Sequence, residues 1–175
     1  RSEGANLLDV LEFPAPVSTD LIQLAQQLAT QLISQLPLCG LLAVEFLIDG
    51  DNHIFINEVA PRPHNSGHQT IESCITSQYE QHIRGILNWP LGSTAILAPS
   101  VMINLLGEEG YAGPAYYENL EACLNEAGVH IHIYGKKQTR PFRKMGHVTV
   151  TASTLGEAKN KALWVKRTLK VKSLL

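Results

Sequence analysis

Glu45 and Glu58 are carboxylates set in two otherwise apolar runs, Leu41 to Ile48 and His53 to Val59, with Asp49-Gly50-Asp51-Asn52 between them. Two β-rich runs around an acidic, glycine-containing turn predict a β-hairpin. A carboxylate on such a strand is costly unless it is paired or bound to a cation. On adjacent antiparallel strands the two can share one face and clamp a hard divalent ion, as Mg2+ on nucleotide phosphates requires. The plainer alternative is two surface glutamates on solvent faces of the hairpin.

Directly after Glu58 comes Ala-Pro-Arg-Pro-His-Asn-Ser-Gly-His, which brings Arg62, His64, Asn65, Ser66 and His68 onto one loop with two prolines. A guanidinium, an imidazole and an amide beside an acidic pair suit an anionic, phosphate-like transition state. A solvated polar loop is the competing account, and the histidines lack zinc-motif spacing. A third feature is the stretch Gly135 to Met145, whose Lys136, Lys137, Arg140, Arg143 and Lys144 are accompanied by no acidic residue. Crowded cations repel one another, so an anion is a natural partner; a phosphate monoester and a nucleic-acid backbone both qualify. His130 and His132 alternate on one strand face without a third metal ligand in register.

The scaffold around these groups follows from periodicity and capping. Leu7 to Phe13 reads as a short strand ended by Pro14 and Pro16. Ser18, Thr19 and Asp20 offer N-caps for a helix over 19–36, whose Leu21, Ala25, Leu28, Leu32 and Leu36 repeat at helical spacing. The hairpin, a loop over 60–69 and a helix over 70–87 follow. Beyond a boundary near Pro99, Val101 to Leu105 reads as a strand and Tyr116 to Ala127 as a short helix. Val129 to Tyr134 and His147 to Thr151 read as paired strands. Thr154 and Glu157 form a capping box for a last helix over 155–170. The expected class is α+β, with domains at 1–98 and 99–175.

The 175 residues allow one compact domain or two small ones. The formal charge of -2 conceals an asymmetry: residues 1–98 carry -7, residues 99–175 carry +5. No apolar run approaches a membrane span, and the opening Arg-Ser-Glu-Gly-Ala-Asn lacks a signal-peptide pattern. Cys39, Cys74 and Cys123 are odd in number and form no CxxC pair, which fits a reducing cytoplasm. The lysines near the C-terminus read as a solvated helix face, since no aromatic interleaving supports a nucleic-acid site.

Taken together, Ala43-Val44-Glu45-Phe46, the run Ile56 to His68, Thr76 to His82 and Arg140-Pro-Phe-Arg-Lys-Met-Gly-His147 resemble one ATP-grasp family. It is the N5-carboxyaminoimidazole ribonucleotide synthase family of de novo purine biosynthesis, and the resemblance runs from about residue 7 to about residue 165. It implies the C-terminal part of an ATP-grasp fold, an antiparallel sheet with helices, at 1–98. A small α/β domain carrying a basic phosphate-binding loop follows at 99–175. The implied reaction is a ligation in which ATP and bicarbonate give carboxyphosphate, whose carbon dioxide unit passes to the amine of aminoimidazole ribonucleotide. Glu45 and Glu58 match the family's Mg2+ ligands. Arg62, His64 and Asn65 match the loop that handles bicarbonate and carboxyphosphate, and Lys136 and Arg143 match the grip on the ribonucleotide phosphate. Ala60 stands where many ATP-grasp relatives have Asn, which fits this branch. Phe142 stands where the family's basic loop usually has Gly.

The resemblance also implies a cytoplasmic homodimer, no nucleic-acid or membrane partner, and an N-terminal half that supplies the nucleotide-base contacts. The expectation is that these residues alone turn over no substrate. Two other functions compete: an ATP-grasp ligase with another acceptor, and a non-catalytic basic module that binds RNA or protein through 135–172.

Overall fold

In the computed structural model, which describes residues 8–174, alternation and capping produce most of the expected elements. Strand β1 (Val10–Phe13) is followed by helix α1 (Thr19–Ser34), with the Ser18 side chain accepting a hydrogen bond from the Leu21 N–H. Strands β2 (Ala43–Ile48) and β3 (Ile54–Ala60) form the predicted antiparallel hairpin. Asp49 closes its turn, since Oδ1 accepts from the Asp51 and His53 N–H groups at 2.9 Å each.

A 3-10 turn (Asn65–Gly67), helix α2 (Thr70–Ser73) and helix α3 (Gln78–Ile86) come next. The single helix expected over 70–87 is therefore broken. Cys74 leaves the helix to pair with Ile96, and Ser77 restarts it by capping the Glu80 N–H.

The second half is built on strands β4 (Ser100–Leu106), β5 (Gly113–Glu118), β6 (Val129–Ile133), β7 (Gln138–Thr139), β8 (Lys144–Thr151) and β9 (Lys170–Ser173). Helices α4 (Leu120–Leu124) and α5 (Leu155–Thr168) complete it. The helix expected over Tyr116–Ala127 is a correction: Gly113–Glu118 is a strand, and only five residues after it are helical. Two adjacent tyrosines favour a pleated strand. Strand β9 supplies the partner, Tyr117 opposite Val171, and Asn119 breaks the chain direction at φ 59°. The stretch 135–145 is likewise less open than expected, because it contains β7 and the start of β8.

Two compact units result, residues 15–96 and residues 8–14 with 97–174. The division falls at 96/97, and β1 belongs to the later unit. Its backbone pairs with β4, Val10 opposite Ile103 and Phe13 opposite Ser100. The resulting antiparallel sheet has the order β1-β4-β8-β6, and β7-β5-β9 form a second sheet. Ala158, Ala162 and Val165 recur on one face of α5 and bury against Val101, Ile103, Val148 and Val150. Small residues on that stripe let the helix lie close to the sheet. One half of the expected capping box forms, with Thr154 accepting from the Glu157 N–H at 3.2 Å, while the Glu157 carboxylate accepts from the Ser153 hydroxyl at 2.7 Å. The fold is α+β, and no described helix is long and apolar enough to cross a membrane.

Candidate active site: a carboxylate pair, an anion loop and a basic loop

The hairpin places Glu45 and Glu58 directly opposite each other, so their side chains share one face. A register irregularity sits between Glu45 and Phe46, because Phe46 pairs with Ile56 and leaves Asn57 as the extra residue. Such a bulge re-aims a side chain. Here the Asn57 amide lies 3.4 Å from Glu45 Oε2. Asn57 is a site residue that sequence reasoning passed over, since an extra residue in a ladder leaves no mark on hydrophobic alternation. Two facing carboxylates open to water are the oxygen donor set that a Mg2+ ion takes, with waters completing its octahedron. The residues present fit that ion.

The chain after β3 turns back over the pair. His64 Nδ1 lies 3.5 Å from Glu45 Oε1 and 3.0 Å from Ser66 Oγ, with the His64 side chain 15% exposed. Arg62 is exposed and donates to the Pro63 carbonyl at 3.1 Å, and Asn65 opens the 3-10 turn. Glu45, Glu58, Arg62, His64 and Asn65 all belong to the unit 15–96, and of the loop residues His64 stands beside Glu45.

Lys136 and Arg143 lie in the other unit, at the two ends of the basic loop. Lys136 Nζ donates to the Lys144 carbonyl at 2.6 Å and lies 5.8 Å from the Tyr134 ring centre, and Arg143 donates to the Gln138 carbonyl at 2.9 Å. Backbone oxygens therefore hold both cationic heads in place. The contrast with the remaining lysines is informative. Lys159 pairs with Glu12, Lys161 with Glu126, Lys166 with Asp9, Lys170 with Glu108 and Lys172 with Glu118. Among the described residues, none of the five cations of the basic loop has a carboxylate partner. The positive charge left for an external anion is concentrated there. His132 stacks on His147 at 4.4 Å, and His130 Nε2 lies 3.3 Å from the Thr151 hydroxyl.

Phe142 adopts φ 60°, the left-handed region where an L side chain costs roughly 1–2 kcal/mol. Phe142→Gly and Phe142→Ala both remove the ring, so their difference isolates the backbone cost. The glycine variant is expected to be the more stable by about 1 kcal/mol. Urea unfolding checks the order, which is the reverse of that found in helix interiors.

Known proteins share much of this sequence and fold. The ATP-grasp domain family model matches residues 3–79, and the model described as phosphoribosylaminoimidazole carboxylase C-terminal domain matches residues 100–161. The N5-carboxyaminoimidazole ribonucleotide synthase of Bacillus subtilis is 45% identical over 144 residues, which are 82% of this chain and 36% of that protein. The crystal structure of the synthetase from Thermotoga maritima superposes with a TM-score of 0.91 at 48% identity, over 94% of this chain and 46% of that one. The chain belongs to this family. It spans less than half the length of these N5-carboxyaminoimidazole ribonucleotide synthases. The Aspergillus clavatus synthase, solved in complex with ADP and 5-aminoimidazole ribonucleotide, has a TM-score of 0.83 at 35% identity, over 95% of this chain and 45% of its own.

Proposed function

We propose that the chain supplies the carboxylate clamp, the anion loop and the phosphate anchor of an N5-carboxyaminoimidazole ribonucleotide synthase. The observation that carries this reading is the register of the hairpin, which sets Glu45 against Glu58 and is followed at once by the Arg62–His68 loop. The reaction consumes ATP, bicarbonate and aminoimidazole ribonucleotide. Bicarbonate oxygen takes the terminal phosphoryl group of ATP, ADP leaves, and carboxyphosphate forms. The ribonucleotide amine then bonds to the carboxyl carbon, the bond from that carbon to the phosphate oxygen breaks, and inorganic phosphate departs with the proton that the amine gives up.

Bound at Glu45 and Glu58, Mg2+ would neutralise charge on the nucleotide phosphates. Arg62 and Asn65 donate hydrogen bonds to the carboxyphosphate oxygens, where charge accumulates. His64, seated between Ser66 and Glu45, orients the loop beside the carboxylates. Lys136 and Arg143 take the ribonucleotide phosphate, Arg143 through its planar fork. The complete enzyme is read as a cytoplasmic homodimer, as the resemblance implies.

The test joins this chain to the N-terminal portion that its relatives carry and follows ADP release. Release should require both bicarbonate and the ribonucleotide. Arg143→Ala is expected to raise the KM for ribonucleotide about 10- to 100-fold, the loss of a charge-assisted hydrogen bond, with kcat nearly unchanged. Release that ignores the ribonucleotide would overturn the assignment of acceptor.

A further inference from the structure

Gln78 is a polar residue at the first position of α3, yet it is 7% exposed. Its carboxamide lies against the backbone of His64 and makes two hydrogen bonds there. Oε1 accepts from the His64 N–H at 2.9 Å, and Nε2 donates to the His64 carbonyl at 2.8 Å. This pairing fixes which end of the amide is nitrogen. Turning the group over would set N–H against N–H and oxygen against oxygen.

The consequence falls on His68. The second hydrogen of Gln78 Nε2 points to His68 Nδ1, 2.8 Å away. An amide nitrogen only donates, so Nδ1 must accept, and the ring's proton sits on Nε2. The Tyr79 hydroxyl also lies 2.8 Å from Nδ1, and its ring stacks on the imidazole at 5.7 Å. Burial pushes the Tyr79 phenol above its ordinary pKa, which keeps it protonated and able to donate there as well.

The loop's glycine serves the same arrangement. A Cβ on Gly67 would stand 2.7 Å from Gln78 Cδ and closer still to Oε1. Thr70 ties the pieces together, donating to the Gly67 carbonyl at 2.6 Å and accepting from the Gln78 N–H at 2.9 Å.

We propose that Gln78 is the positioning residue of the anion loop: it holds His64 by both backbone groups and fixes His68 as the Nε2–H tautomer. The loop then carries a neutral imidazole that donates at Nε2, the polarity that an anionic carboxyphosphate calls for. This last step rests on the function proposed above; the tautomer itself does not.

The test has two arms. In the 175-residue chain near neutral pH, nitrogen-15 NMR of the imidazoles should show His68 with Nδ1 unprotonated and Nε2 protonated. Gln78→Glu replaces the donor with an acceptor of the same shape, and the proton is expected to move to Nδ1. Tyr79→Phe leaves the Gln78 bonds to His64 and His68 in place and should leave the tautomer unchanged. A protonated Nδ1 in the unmodified chain, an unmoved proton in Gln78→Glu, or a moved one in Tyr79→Phe overturns the proposal.

In the chain joined to its N-terminal portion, Gln78→Glu should lower kcat by about 10- to 100-fold, the scale of a misplaced catalytic loop. The KM for ribonucleotide should stay within about twofold of its original value, since the phosphate anchor is elsewhere. Unchanged kcat sinks the positioning role. An absence of ribonucleotide-dependent ADP release before any substitution sinks the proposed function instead, and the NMR arm still decides the tautomer.

Discussion

Glu58→Gln is expected to abolish the response of this chain to Mg2+ while making the metal-free chain slightly more stable. The two effects have opposite signs for one reason. Glu45 and Glu58 stand opposite each other on neighbouring strands, and like charges in that position repel. Asn57 and His64 lie 3.4 and 3.5 Å from the Glu45 carboxylate. Removing the Glu58 charge relieves the repulsion, by roughly 0.2–1 kcal/mol on the cross-strand scale. The same substitution takes away half of the proposed oxygen clamp, and a hard cation needs charged oxygen ligands to give up its water. Urea unfolding with and without Mg2+ checks both signs at once. With the N-terminal portion joined, ribonucleotide-dependent ADP release should fall at least 100-fold, the scale of losing several kcal/mol of charge stabilisation. A variant that still gains stability from Mg2+ would remove the carboxylate pair from the mechanism.

Gly107→Ala carries the second large expectation, a loss of about 2–4 kcal/mol together with a detached basic loop. Gly107 donates to the Arg143 carbonyl and accepts from the Phe142 N–H, both at 2.9 Å, so it stitches that loop to the end of β4. Its other side pairs with Val171 of β9. A Cβ there would stand 3.0 Å from the Arg140 carbonyl carbon and closer to its oxygen, with the Thr139 hydroxyl equally crowded. Backbone on one side and a buried threonine on the other leave nothing free to swing away. Trp164 on α5 belongs to the same unit and Trp89 to the other, so fluorescence in a Trp89→Phe background reports this unit alone. The ribonucleotide KM should rise as well, because Arg143 loses its seat. Wild-type unfolding with an unchanged KM would show that the loop does not depend on this stitch.

The parts of the site that sequence showed are those governed by local periodicity. Glu45 and Glu58 interrupt apolar strands around a short acidic turn, so their pairing follows from the hairpin itself. Thr154 and Glu157 announce α5 because both halves of the cap lie within four residues. What stayed hidden depends on distant partners or on an extra residue. Strand β5 pairs with β9, the bulge at Asn57 is visible only against β2, and Gln78 reads as an ordinary surface position of a helix until its amide is seen against His64. The charge asymmetry was also misleading as a guide to partners. Five of the lysines behind it are neutralised by acids in the same unit, two of which, Asp9 and Glu12, flank or lie in β1.

The membership of β1 in the sheet of the later unit bears on how the chain is made. Val10 finds Ile103 only after the whole of residues 15–96 has been synthesised. At ribosomal rates of roughly 5–20 residues per second, β1 waits on the order of 5–20 s for its partner. By the end of that interval the unit 15–96 has its full sequence, and it is free to fold before the sheet around it is finished. Starting a shorter protein at residue 97 would leave β4 as a bare sheet edge, an invitation to pair with another molecule. A cut chosen for tidiness in the sequence therefore uncovers the sheet edge that β1 occupies.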